Sequence, residues 1–335
     1  MRHSPTLKKV PGFKKTNPTG NLDIVQHNDV VYVGSVNEMN IYSLKTKERI
    51  STIKIAGFVP QVALLSNDLL LIIGNTTVYL YNNEIIENPI LLDQLDIGGG
   101  VITIISYESK DSENNMVHIA YIVCDNGLKT VKISKNRKLQ LLAEFLFDAN
   151  LSTSIHKDIR LDKPILYVAA LTHNLLYVFD ISGKRAVKPK LVKKIINKFV
   201  PDCLTQTSCD PNILLCGGIF GLVFYDVTDP KEPIVISKQL NSFGNFITFI
   251  PGTFYVMNGI FQPENQLVLG EISVKKDKCE KYVSAKYKNI DSIKLQSGRL
   301  PWDVIVVQNK DDENLYEAIV TNNTEAKIEV GRVRL

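Results

Sequence analysis

Long apolar runs, paired cysteines and a strong charge of either sign are all missing from this sequence, and each absence removes a class of protein. No apolar stretch in the 335 residues approaches the ~20 residues that a membrane-spanning helix requires. The five cysteines (Cys124, Cys203, Cys209, Cys216 and Cys279) are odd in number, and none belongs to a CxxC pair. That pattern argues against a disulfide framework or a zinc site and predicts reduced thiols. With 39 basic and 35 acidic residues the net charge is only +4, so the chain as a whole is not a polycation. Apolar spacing at helical period is absent too, which leaves strands. The segment 1–20 is polar and basic and has no apolar stretch of the signal-peptide kind. The expectation is a flexible basic N-terminal tail over 1–20, one domain over 21–335, and a cytoplasmic or nuclear location.

What is present is repetition. Seven apolar strands recur: Val30-Val31-Tyr32-Val33, Leu69 to Ile73, Val117 to Val123, Ile165 to Ala169, Ile213 to Cys216, Phe254 to Met257, and Val304 to Val307. The period is about 45 residues, the length of a four-stranded propeller blade. A second strand follows each copy, as in Val78-Tyr79-Leu80-Tyr81, Leu175 to Ile181 and Leu315 to Val320. The turns before the recurring strand are built of Asn, Asp, Pro and Gly, as in Ser66-Asn67-Asp68, Asp162-Lys163-Pro164 and Pro251-Gly252-Thr253. The spacing predicts an all-β, seven-bladed β-propeller of four-stranded blades. In this register the chain begins on an innermost strand and ends on an outermost one (Lys327 to Arg334), which predicts a ring closed without a hydrogen-bonded latch.

Two units carry a family signature. Gly221-Leu222-Val223-Phe224-Tyr225-Asp226-Val227-Thr228-Asp229-Pro230, with Glu232-Pro233-Ile234-Val235 after it, resembles the LVIVD repeat of β-propeller proteins, and Leu175 to Ser182 is a second match. The physical content is an apolar strand ending at an Asp that accepts backbone N–H bonds from the following turn. Elsewhere Ser43, Asn82, Lys132 and Glu271 stand near that Asp position. The resemblance implies a propeller of surface or scaffold type, with no shared catalytic set. Trp302-Asp303 opens a strand rather than closing one, so it does not read as a WD repeat.

Residues for chemistry are few. Propeller enzymes place ligands where the innermost strands begin, which here gives Asp23, Gln61, Thr103, His156, Asp202, Asn245 and Asp291. Three carboxylates could hold a hard cation, as in a lactonase-like metal-dependent hydrolase, but ordered water serves such a channel equally well. His118, inside an apolar strand, reads as a core histidine. Gly98-Gly99-Gly100 lacks the helix and Lys of a phosphate loop. No catalytic residue, metal ligand or cofactor is assigned.

The surface is more informative. On one face the register collects Phe58, Phe199, Phe220, Phe243 and Phe261, with Phe58 and Phe199 read as wedges between blades. Phe220, Phe243 and Phe261 remain as a candidate partner site. On the other face the turns between third and fourth strands are basic: Lys45, Lys47 and Arg49; Lys135, Arg137 and Lys138; Lys184, Arg185, Lys188 and Lys190; Lys275, Lys276 and Lys278. Turns between first and second strands carry acids (Asp29, Asp68, Asp111, Glu113, Asp162), and Lys310-Asp311-Asp312-Glu313 reads as an acidic turn between second and third strands. The implied function is a non-catalytic scaffold that docks a protein partner, of acidic character, on a basic rim. The alternatives are the channel hydrolase and binding of nucleic acid or another polyanion. Cys279, in a Lys-rich turn, is expected to be the most reactive thiol.

Overall fold

A computed structural model describes residues 5–13, 21–58, 61–66, 68–110, 116–147, 152–170, 174–197, 202–218, 221–239, 246–260, 265–295, 301–322 and 328–335. The chain opens with β1 (Thr6–Val10). Blade one follows as β2 (Asn21–His27), β3 (Val30–Ser43) and β4 (Arg49–Phe58). Blade two is β5 (Gln61–Ser66), β6 (Leu69–Gly74), β7 (Thr77–Asn82) and β8 (Ile90–Asp96). Blade three is β9 (Val101–Lys110), β10 (Met116–Cys124), β11 (Gly127–Ile133) and β12 (Leu139–Leu146). Blade four is β13 (Ser152–Lys157), β14 (Ile165–Ala170), β15 (Leu175–Asp180) and β16 (Lys190–Ile196). Blade five is β17 (Cys203–Gln206), β18 (Ile213–Gly218), β19 (Gly221–Asp226) and β20 (Ile234–Gln239). Blade six is β21 (Phe246–Phe249), β22 (Tyr255–Ile260), β23 (Gln266–Lys276) and β24 (Tyr282–Lys294). Blade seven is β25 (Pro301–Gln308), β26 (Leu315–Asn322) and β27 (Glu329–Arg334), completed by β1. The fold is a seven-bladed β-propeller. Its residues group into two compact units, 22–198 and 1–21 with 199–335.

In the unit 22–198, blade one has four strands although β3 is continuous. Asn37 adopts a left-handed φ of 63° midway along β3, and Leu44 N–H donates to Asp29 C=O at 2.8 Å across the base of the resulting hairpin. Asn83 to Asp68 in blade two and Ile181 to Pro164 in blade four repeat that closing bond. The second strands read as unbroken apolar runs because both of their faces are covered. Along β10, Val117, Ile119, Tyr121 and Val123 pack toward blade four, with Leu166, Val168 and Tyr177. The alternate residues Ala120, Ile122 and Cys124 pack toward blade two, with Leu71, Ile73 and Val78. A strand alternates its side chains, so burial on both faces demands apolar residues at every position.

In the other unit the register differs from the sequence expectation in blade seven. β24 continues unbroken to Lys294, so Val304 to Val307 lies on the first strand of blade seven rather than the second, and Leu315 to Val320 on the second rather than the third. That leaves room for a fourth strand, and β1 takes it, with Thr6 opposite Arg334 and Val10 opposite Val330. The expected unlatched closure is therefore corrected. The segment read as a flexible tail contributes a strand at Thr6–Val10, and blade seven is shared by both ends of the chain. Edge pairing explains it: β27 would otherwise present an unpaired row of backbone groups. Gly331 makes space for the latch, since a Cβ there would stand 2.8 Å from Leu267 and 3.0 Å from Leu7.

Candidate functional site

The first-strand positions separate into several local environments. Asp291 is not among them, because it lies on β24, the fourth strand of blade six, where its Oδ2 accepts the Leu7 N–H at 2.8 Å. Gln61 and Thr103 do meet: Thr103 Oγ1 donates to Gln61 Oε1 at 3.2 Å. His156 is half-buried on β13. Asn245 and the Asp23 side chain lie outside the described residues. No three His, Cys, Asp or Glu side chains converge on a metal-sized space among the described residues. His118 is half-buried rather than sealed in the core. Its Nδ1 lies 3.6 Å from Glu108 Oε1, because the two residues face each other in the β9–β10 ladder.

Asp202, just before β17, is the exceptional titratable group. Its N–H donates to Gly217 C=O at 2.8 Å, and burial alone pushes its carboxyl up to about 6. Between about pH 4 and 6 the folded chain therefore holds a proton that the unfolded chain releases. This contribution to stability is complete below the unfolded value of 3.8 and is lost as pH rises through about 6. The loss is at most about 3 kcal/mol, and less to the extent that water reaches the carboxyl. Asp202→Asn is expected to match the parent in urea denaturation at pH 4 and to exceed it at pH 7. An Asn variant that is less stable at pH 7 would contradict the assignment.

All five cysteines are free. Cys124 and Cys216 are buried, and burial pushes the Cys124 thiol up to about 11. Cys203 is held up in the same direction, first by burial and then by Asp202 and Asp303. Cys209 and Cys279 are exposed. Maleimide labelling of the native protein is expected to modify Cys209 and Cys279 first and to spare Cys124 and Cys216 until unfolding. Early modification of Cys216 would contradict this packing.

The turns at the ends of the third strands behave as their composition dictates. Asp180 Oδ1 accepts the Ser182 N–H at 2.9 Å, and Asp226 Oδ1 accepts the Thr228 N–H at 2.9 Å. Asn82 takes the same role in blade two with the Glu84 N–H at 3.0 Å. Many of the basic residues beyond these turns are not free. Arg137 pairs with Asp68 of the preceding blade at 2.8 Å, and Lys138 with Asp93 at 3.1 Å. Lys276 pairs with Asp210 at 3.4 Å and lies 4.5 Å over the Tyr282 ring. Arg185 pairs with the fully buried Asp180. The turn Lys310 to Glu313 joins β25 to β26, so it is an acidic turn between first and second strands, like the others of that class.

Lys184, Lys188 and Lys190 of blade four stay exposed and unpaired among the described residues, as do Lys275 and Lys278 of blade six. Around the blade-six pair stand Asp277 and Glu280. Blade four is different, because two of the three carboxylates at its end are consumed internally. Asp158 is fully buried and clamps Arg160, with Nε to Oδ1 at 2.8 Å and Nη2 to Oδ2 at 2.5 Å, while Tyr167 Oη donates to it at 3.2 Å. Asp180 is likewise buried against Arg185. Among the described residues only Asp162 offers an exposed carboxylate there.

The same turn carries a feature that the sequence reading missed. Leu161 is 93% exposed and Ile159 40% exposed. Both sit between β13 and β14, in a segment bounded by Asp158 and by Asp162-Lys163-Pro164. Apolar residues enclosed by turn formers have no strand to bury them, and that was the available signal. Phe199, Phe220, Phe243 and Phe261 lie outside the described residues, and Phe58 is the last residue of β4.

Among the described residues no helix is long and apolar enough to cross a membrane. No family model matches the chain, and no curated protein sequence matches it. Among solved structures it is similar to Sqt1 of Saccharomyces cerevisiae, with a TM-score of 0.64 at 10% identity over 97% of this chain and 98% of that one. A likeness at that identity speaks for the fold alone.

Proposed function

We propose that this chain is a non-catalytic interaction propeller that docks an acidic protein partner through the exposed lysines of its basic turns. Kinship with LVIVD-repeat propellers and a cytoplasmic or nuclear setting belong to the same reading, which the free thiols support. The observation that carries it is the unbalanced end of blade four. Once its internal ion pairs are counted, Lys184, Lys188 and Lys190 remain in water, and Asp162 is the exposed acid of these turns among the described residues. Lysines kept merely for solubility do not require the neighbouring carboxylates to be withdrawn into buried pairs.

The test compares the parent with Lys184→Glu/Lys188→Glu/Lys190→Glu and with Lys275→Glu/Lys278→Glu. The expected result is loss of co-purifying partners from the blade-four variant, with association slowed as salt rises and dissociation little changed. If neither variant alters the partners, the lysines are a solvated surface and the reading fails. Arg185 must stay in place. Arg185→Glu sets a carboxylate beside the buried Asp180 and is expected to cost about 3 kcal/mol or more. The lysine variants are expected to stay within about 0.5 kcal/mol of the parent. Urea midpoints separate the two outcomes.

A further inference from the structure

We infer that the end of blade four is a two-part peptide site, in which Leu161 anchors an apolar side chain and Lys184 and Lys188, on the neighbouring turn, hold acids beside it. This rests on the proposed protein-docking function and names the chemistry of the partner: a linear segment with an aliphatic or aromatic residue beside Asp or Glu.

Three observations converge on the site. The first is exposure. Leu161 has 93% of its surface in water and contributes almost nothing to the core. Exposed leucines are common singly, but here Ile159 stands two residues away on the same turn.

The second is rigidity. Asp158 Oδ1 accepts the Arg160 N–H at 3.0 Å as well as its guanidinium, the Lys163 N–H donates to Arg160 C=O at 3.1 Å, and the Ile165 N–H donates to Lys163 C=O at 2.8 Å. Arg160 itself is only 12% exposed. A turn pinned from both sides holds its apolar tip without the ordering cost that a loose loop meets on binding.

The third is charge. β14 and β15 pair with Ile165 opposite Asp180, and Ile181 N–H bonds Pro164 C=O at 2.9 Å. The turn bearing Leu161 and the turn 182–189 therefore leave the same end of the same hairpin. An apolar tip beside lysines that are unpaired among the described residues matches an acidic segment with one apolar residue. It does not match a nucleic acid, which would gain from the lysines but not from Leu161, and among the described residues the site offers no exposed aromatic ring on which a base could stack.

The experiment selects from a phage-displayed library of random 12-residue peptides against the intact protein, then measures the selected consensus peptide by fluorescence anisotropy. Three proteins are compared: the parent, Leu161→Ser and Lys184→Glu/Lys188→Glu. Enrichment of an apolar residue beside acids is expected. Leu161→Ser is expected to weaken binding about tenfold while the salt dependence persists. The lysine variant is expected to weaken it at least as much and to flatten the salt dependence. Both substitutions lie on exposed side chains, and a urea midpoint confirms that each variant is folded. Peptides that need the lysines but ignore Leu161 overturn the two-part site and leave the docking function standing. Peptides that need neither overturn both. A library yielding no acidic-apolar pattern, with a 20-nucleotide single-stranded RNA bound through the lysines instead, overturns both in favour of nucleic acid.

Discussion

Removing residues 1–10 is expected to destabilise the chain by more than any single substitution in blade seven and to make it self-associate. β1 contributes a full ladder against β27, from Thr6–Arg334 to Val10–Val330. Leu7 is 4% exposed and belongs to the core of Met257, Leu267, Leu269, Leu295 and Val333. Its loss alone, as Leu7→Ala, is expected to cost about 2–5 kcal/mol. Deletion also strips Asp291 of the Leu7 N–H and Glu329, nearly buried, of its Lys9 partner. It uncovers β27 as a free edge, which templates pairing with a second chain. Urea denaturation and size-exclusion chromatography across a concentration series report the two effects. Hydrogen exchange should show β27 amides losing protection first. A truncated chain with the parent's midpoint, and with β27 still protected, would remove the latch from the account.

The latch also marks the limit of what the residues disclose. The second and third strands of blades two to five were legible because burial on both faces keeps them mostly apolar, as in Leu69–Gly74, Ile165–Ala170 and Leu175–Asp180, each buried throughout. The fourth strands are half in water and mix charge with apolar residues. In Tyr282–Lys294 the pattern of exposure breaks more than once, and ending that strand early moved the register of blade seven by one strand. β1 is harder still. Thr-Leu-Lys-Lys-Val has one fully buried side chain, Leu7, and its partner Asp291 is 284 residues away. No local pattern encodes a contact of that range.

The candidate surface divides along similar lines. Clustering of Lys and Arg beyond the third strands is visible in the residues, but which of them are free is not. Arg137 and Arg185 look equivalent to Lys184 in sequence, yet each is held by a carboxylate supplied from elsewhere, Asp68 across a blade and Asp180 from the core. Leu161 was hidden for the opposite reason, since a leucine in a chain of strands reads as core. Its exposure follows from Arg160 and Asp158, whose mutual pairing turns the polar residues inward and the apolar one outward.

That inversion makes Asp158 the residue on which the blade-four turn depends most. Its carboxylate is fully buried and accepts a bidentate fork from Arg160, the Arg160 N–H and the Tyr167 hydroxyl. The pairing raises the guanidinium pKa further above its usual value. Taking the pair out of water is costly, so its net contribution to stability is small, but breaking it deprives a guanidinium that is 88% enclosed of the carboxylate that clamps it. Asp158→Ala is expected to cost about 3–5 kcal/mol. Asp158→Asn, which keeps an acceptor for the backbone N–H, should cost less. The double variant Asp158→Ala/Arg160→Leu should recover much of the loss, because it removes the guanidinium together with its clamping carboxylate. A double-mutant cycle in urea measures that coupling directly. A single Asp158→Ala variant within about 0.5 kcal/mol of the parent, the range of an ordinary surface change, would show that the pair does not hold the turn. With the turn loosened but the lysines untouched, peptide affinity at blade four should fall while its salt dependence stays, since the cations that set that dependence are still in place.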